Sequence, residues 1–268
     1  MATDSNQRGI QSIEVGGQQL KALVHHGRPM ALKDLAREAD MAPAKAHPYM
    51  VSFGRLGLIE QDRSNGHYQL GPLALQLGLI SLQQANPVHV ATPLAAELSQ
   101  QIGQTVAIAV WGARGATIVR VAESPSPVHV NMRHGTVFSL ASSGSGRIFG
   151  AYLAPEVVRA MLEEDRKRGS HAGDEPGMPP PPAIPSWPEF EASLAKVRER
   201  GMSRSEGEII PGINAMSAPV FDHTGEIVLA LTVIGPAGVL DTGWNGATAA
   251  AMTRCAEEIS QRLGARAR

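Results

Sequence analysis

"MAPAKAHPYMVSFGRLGLIEQD", residues 41–62, decides how the N-terminal part of the chain is read. A turn at residues 40–42 leads into a helix. "GLIEQD", "RSNG" and "HYQLG" then give two short strands around an Asn-Gly hairpin signal. Upstream, Ile13, Gly17, Leu20 and Val24 recur at helical spacing and predict a first helix closing near Gly27. Gly16 and Gly17 inside it cost roughly 1 kcal/mol each relative to alanine, so the helix depends on packing. "MALKDLAREADMA" puts Leu32, Leu35, Ala36 and Ala39 on one face of a short second helix. Leu32, Leu35, Leu56 and Ile59 are the expected core. Three short helices followed by a hairpin is the order of a winged helix-turn-helix, here over residues 10–72 after a polar tail at 1–9 expected to be disordered. Pro48 interrupts the pattern. Inside a helix it removes a backbone hydrogen bond and clashes with the preceding turn, at roughly 3 kcal/mol. Either the helix starts late, with Pro48 in its first turn, or it kinks.

"PLALQLGLISLQQA" follows as an amphipathic helix with Leu73, Leu77 and Ile80 on one face, ending before Asn86-Pro87. It reads as a linker over residues 73–86. The remainder, 87–268, mixes helices with hairpins. "HVATPLAAELSQQIG" is helical, and "TVAIAVWGARGATIVRVAES" turns at residues 112–115. "VHVNMR" is a further strand, and a second hairpin turns at Thr224-Gly225. Helices start near Pro155 and Pro188, and a last one covers about 248–263. Hairpins bordered by helices predict an antiparallel α+β domain rather than a parallel βαβ enzyme. "GSHAGDEPGMPPPPAIPSWP" has no periodicity and reads as a mobile or polyproline-like surface insertion, in preference to a partner-docking site.

Composition narrows the function. Residues 10–72 hold seven Lys/Arg and six Asp/Glu within a chain of net charge −1, so any nucleic-acid contact must come from clustering on one face. No apolar run approaches a membrane span, and the polar N-terminus lacks a signal-peptide core; the expectation is a cytoplasmic protein. Cys255 is the single cysteine, which leaves no disulfide framework and no cysteine-based zinc site. An enzyme is not expected. A nucleophile elbow needs glycine two residues either side of its serine, and neither Ser143 nor Ser145 has that setting. The histidines lack zinc-binding spacing, His25-His26 splay apart as neighbours, and no phosphate- or dinucleotide-binding loop is present. No cofactor and no metal site are expected.

"SSGSG", residues 142–146, is the most suggestive element beyond residue 87. Its glycines let backbone N–H groups approach a ligand, and a following helix N-terminus favours anions, although a plain turn before a helix is the competing reading. Five stretches together carry a resemblance: "GIQSIEVGGQQLKAL", "LKDLAREADMAPAKAH", "LGLIEQD...GHYQLGPLALQLG", "LASSGSGRIFGAYL" and "PGINAMSAPVFDHTGEIVLALTVIGP". In this order and spacing the chain resembles the IclR family of bacterial transcription regulators along nearly its whole length. The resemblance implies an N-terminal winged helix for double-stranded operator DNA, a C-terminal GAF-like domain for a small effector, and a homodimer or homotetramer. It places the effector loop at Gly144 and Ser145 and further pocket positions at Ser205, Ala215, Thr232 and Ile234. Ala215 stands where many members have cysteine, and Ile234 where serine is common. An apolar wall there rewards apolar bulk, which points to a less polar ligand than a two-carbon acid. Phe138, Met132 and Val110 are further candidates for the lining.

A recognition helix needs polar side chains near its N-terminal end, where it enters the major groove, and Lys45 and His47 qualify. Arg55 could meet phosphate, and Arg63, Asn65 and His67 are wing candidates. Pro48 stands where the family usually has arginine, so a multidentate contact is missing, and DNA binding is expected to survive through Lys45, His47 and the wing with its affinity limited. The expected function is an effector-responsive transcription regulator, repressor or activator, controlling catabolic genes for a small organic acid, with an aromatic carboxylate as the expected effector. The alternative is a ligand-binding or interaction protein of the same fold that has lost DNA binding through Pro48.

Overall fold

The computed structural model describes residues 9–126, 130, 132–168 and 183–266, and the chain divides between Ala85 and Asn86 into two compact units. The expected tail lies almost wholly outside the described residues, as does most of the Pro/Gly-rich insertion.

The first unit runs α1 (Gln11–His26), α2 (Leu32–Glu38), α3 (Pro43–Leu56), β1 (Ile59–Gln61), β2 (Tyr68–Leu70) and α4 (Pro72–Gln84). Leu23, Met30, Leu35, Met50, Ile59 and Tyr68 form its core. Met30 exchanges both backbone hydrogen bonds with Tyr68 and so extends the β1–β2 wing by one isolated pairing. Two expectations are corrected. Ile13 and Val24, on the expected inner face of α1, are 66% and 64% exposed, while Gly16, Gln19, Ala22 and Leu23 face inward. The reason is a close helix approach: a Cβ on Gly16 would lie 2.7 Å from Tyr49 Cδ1, so α1 meets α3 through its glycine. Leu56, expected in the core, is 61% exposed, because α3 ends there in the left-handed turn at Gly57.

Helix α4 buries none of its side chains within this unit. Leu73, Leu77 and Ile80 share one side, as the spacing predicts. Leu75, Leu79 and Leu82 form a second apolar stripe on the opposite side, about half a turn away at 100° per residue. Ser81, Ala74 and Gly78 separate the two stripes along one flank of the helix, and Gln76 and Gln83 along the other.

The second unit contains α5 (Pro87–Ile102), β3 (Thr105–Gly112), β4 (Gly115–Ala122), β5 (Val137–Phe138), α6 (Gly144–Tyr152), α7 (Pro155–Arg168), α8 (Trp187–Arg200), β6 (Ser203–Glu206), β7 (Ile213–Phe221), β8 (Ile227–Pro236) and α9 (Ala247–Arg262). The strands form one antiparallel sheet in the order β5-β4-β3-β8-β7-β6. Both expected hairpins are present. "VHVNMR" falls largely outside the described residues, and Val130 and Met132 belong to no strand. Alternation along the strands sorts side chains onto two faces. One face presents Val106, Ile108, Met216, Val220, Leu229, Leu231 and Val233 to α5 and α9. The other presents small and hydroxyl-bearing residues, among them Ala107, Ala109, Ser217, Ala230 and Thr232, toward α6 and the core around Phe149 and Phe190.

Candidate functional site

Helix α6 begins at the "SSGSG" turn and is seated against the hydroxyl-bearing face of the sheet. Ser143 caps it, its Oγ accepting from the Gly146 N–H at 2.8 Å and donating to the Ser139 carbonyl at 2.8 Å. The N–H groups of Gly144 and Ser145 occupy the first helical turn, have no intrahelical acceptor, and meet no other acceptor among the described residues. Both residues are buried. Beneath them Ser145 Oγ and Ser217 Oγ each lie 2.8 Å from Thr232 Oγ1, and Ser203 Oγ donates to the Gly144 carbonyl at 2.7 Å. The approach is tight enough that a Cβ on Gly144 would lie 2.6 Å from Ser217 Oγ.

Strand register supplies the rest. Ser205 pairs with Ala215, Ala215 with Ile234, and Ser217 with Thr232, so four of the expected positions share one face in two rows beside α6. Ile234, Ala215, Met132 and Phe138 belong to the same apolar cluster. Val110 does not join them. It follows Val106 and Ile108 onto the opposite face, against α5 and α9, because alternation sends Ala107, Ala109 and Trp111 the other way. Ser203 and Ser217 were not anticipated, although their parity with Ser205, Ala215 and Thr232 marks them.

Arg147 was also not anticipated, and it ties the site together. Its Nε donates to the Ala141 carbonyl at 2.9 Å, Nη1 to the Arg204 carbonyl at 2.8 Å, and Nη2 to the Ser142 carbonyl at 3.0 Å and to Glu208. One guanidinium fork thus joins the turn to β6 and to the loop after it. The single thiol, Cys255, lies elsewhere; burial first, then Glu258 and Glu97, push it up to about 11, which disfavours the thiolate.

In the first unit, α3 runs unbroken from Pro43, which places Pro48 at the sixth helical position and excludes the late start. The Ala44 carbonyl therefore has no N–H four residues on to accept. Lys45, His47, Pro48 and Arg55 are all exposed, opposite the buried Ala46 and Met50. The wing turn is organised by Asp62. Hydrogen bonds from the Ser64 hydroxyl and N–H hold its carboxyl below the usual carboxylate range. Asn65 belongs to the same turn, its amide donating to Asp62 at 2.8 Å and its carbonyl accepting the His67 N–H at 2.8 Å, which fixes its orientation and leaves its second N–H and a carbonyl lone pair for an outside partner. Arg63 extends into solvent, and His67 is half-buried.

No helix among the described residues is long and apolar enough to cross a membrane, and no cluster of three or more His, Cys, Asp or Glu among them could hold a metal ion. Residues 12–63 match the IclR helix-turn-helix domain, and residues 80–261 match the bacterial transcriptional regulator IclR C-terminal domain. The chain is 26% identical over 231 residues to the HTH-type transcriptional regulator BhcR of Paracoccus denitrificans, covering 86% of this chain and 80% of BhcR. It is 28% identical over 260 residues to the glycerol operon regulatory protein of Streptomyces coelicolor, covering 96% and 98%. Among solved structures, Pseudomonas aeruginosa HmgR superposes with a TM-score of 0.84 at 32% identity, covering 97% of this chain and 100% of HmgR. With both units matched in order and the C-terminal model alone spanning well over half of the residues, the chain belongs to the IclR family of bacterial transcriptional regulators.

Proposed function

We propose that this regulator controls catabolic genes and answers to a small, mainly apolar organic acid, with an aromatic carboxylate as the representative ligand. The observation that carries this reading is the pair of N–H groups at Gly144 and Ser145, which meet no acceptor among the described residues. They stand at a helix N-terminus, which favours a carboxylate. Ile234, Ala215, Met132 and Phe138 provide the apolar side, and Thr232 and Ser205 the remaining polar one. A relative named for a glycerol operon supports a catabolic target. Helix α3 meets the DNA, with Lys45, His47 and Arg55 as its cationic and polar contacts and Arg63 on the wing. Self-association covers the apolar residues that α1 and α4 leave exposed, among them Ile13, Val24, Leu75 and Ile80. The effector changes DNA affinity only so far as it binds two quaternary states unequally.

Footprinting of promoter fragments with the full chain, with and without benzoates or short aliphatic acids, tests this. The expected pattern is paired protections about one helical turn or a multiple apart, altered by benzoates. A response to short polar acids alone would overturn the apolar ligand. A chain that binds acids but protects no fragment at low salt would be a ligand-binding protein of this fold instead.

Pro48 limits the sequence-independent part of the affinity on this reading, since no cation stands at that position. Pro48→Arg restores a backbone N–H and adds a cation on the exposed face. Binding to a duplex of unrelated sequence is expected to tighten, with a salt dependence steeper by about 0.9 for one added phosphate contact. Titrations at several salt concentrations read both quantities; unchanged values would place position 48 away from DNA.

A further inference from the structure

The outward face of α3 has an unusual composition for a helix in a major groove. At 100° per residue Ala44, Pro48, Val51 and Arg55 fall along one line, and all four are exposed, Val51 by 39%. Lys45 and Ser52 flank this line on one side, His47 and Gly54 on the other. The Ser52 hydroxyl donates to the Pro48 carbonyl at 3.0 Å, which turns it back onto the helix. The middle of the face therefore carries a methyl, a pyrrolidine ring and an isopropyl group, and its cations sit at the margins and the C-terminal end.

We infer that α3 reads thymine, through contact of Pro48 and Val51 with thymine 5-methyl groups; this rests on α3 being the recognition helix. In the major groove the thymine methyl is the one apolar feature of the base edges, and apolar side chains are its partners. Hydrogen-bond readout of guanine or adenine uses arginine, lysine, asparagine or glutamine, and none of these stands on this line before Arg55. Proline suits the contact: its ring is rigid, presents no N–H, and loses no rotamer freedom when a methyl packs against it. Lys45 and Arg55 then hold the backbone while the apolar strip selects the base, which gives a face with cationic edges and an apolar centre a single matching surface in thymine-bearing DNA.

The test uses the full chain and a duplex that it selects from a random-sequence pool, with footprinting to locate the protected thymines. Each is replaced in turn by deoxyuridine, which removes the methyl and leaves the pairing intact. Thymines under α3 are expected to show binding about fourfold weaker, the equivalent of about 0.8 kcal/mol for one methyl removed from water. In Val51→Ser, whose side chain lies outside the core, the penalty at one of those positions is expected to vanish while the melting temperature and salt dependence stay as they are. Equal binding of the thymine and deoxyuridine duplexes at every protected position, with the footprint intact, overturns the inference and leaves the DNA-binding reading standing. Penalties that persist unchanged in Val51→Ser assign the methyls to other residues and overturn it too. Failure to select any duplex overturns the recognition-helix reading itself, and would point to a protein partner for this face.

Discussion

Gly146→Ala is expected to destabilise the unit that begins at Asn86 by about 3 kcal/mol, the upper range for overpacking a tight site. A Cβ at this position would lie 2.4 Å from the Ser139 carbonyl oxygen, 2.6 Å from that of Leu140 and 2.7 Å from Leu140 Cα. All three are backbone atoms, so no rotamer change relieves the clash. The segment cannot retreat cheaply either. The Leu140 N–H donates to Asp165 at 3.0 Å, and the Ser139 carbonyl accepts the Ser143 hydroxyl that also caps α6. Movement would break the cap and release the Gly144–Ser145 turn with it. Urea unfolding at fixed protein concentration reads the loss. Gly238→Ala serves as the control, since a Cβ there meets nothing within 4 Å. Surface changes of that kind stay within about 0.5 kcal/mol. Equal midpoints for the two variants would mean that the turn yields.

Why some elements were legible and others were not comes down to what each signal depends on. The wing, the β3–β4 hairpin and the β7–β8 hairpin were readable because glycine turns and strand alternation are local, and local chemistry fixed them. The inner face of α1 was misread because its partner is decided by distance rather than by hydrophobicity. Gly16 lets Tyr49 approach, and the larger apolar residues Ile13 and Val24 are left for another surface. Helix α4 was misread for a related reason, since a leucine stripe on each side satisfies the spacing for one face and conceals the second. At the candidate site Gly144, Ser145, Ala215, Thr232 and Ile234 come together, and Ser203 and Ser217 could have been found from strand parity. Val110 could have been rejected on the same ground, because Thr105–Trp111 alternates without a break. Arg147 carried no such signal. Its partners at Arg204 and Glu208 are some sixty positions distant, and nothing in the spacing of a lone arginine reveals a tertiary contact.

That arginine underlies the second large effect. Its side chain is only 18% exposed, and three of its four partners are backbone carbonyls that lose a charged donor when it is removed. Arg147→Met keeps most of the apolar stem but leaves those oxygens and Glu208 uncompensated. The expected loss is about 3 kcal/mol in urea unfolding, reduced from a fuller sum because water can reach part of the site. Acid binding should suffer separately. The Gly144 and Ser145 N–H groups are aimed by the turn that Arg147 clamps, so affinity for a benzoate, measured by calorimetry well below the unfolding midpoint, is expected to fall by roughly tenfold or more. Arg147→Lys should recover little of either, since an ammonium cannot span three divergent carbonyls as a planar fork does. Glu208→Gln keeps an acceptor for Nη2 and spares the carbonyl contacts, so its losses should be the smaller on both counts. A methionine variant that unfolds earlier yet binds the acid unchanged would make Arg147 a stability element alone. Unchanged values in both measurements would mean that the turn holds its shape without the clamp, through the Ser143 cap and the Ser203–Gly144 hydrogen bond.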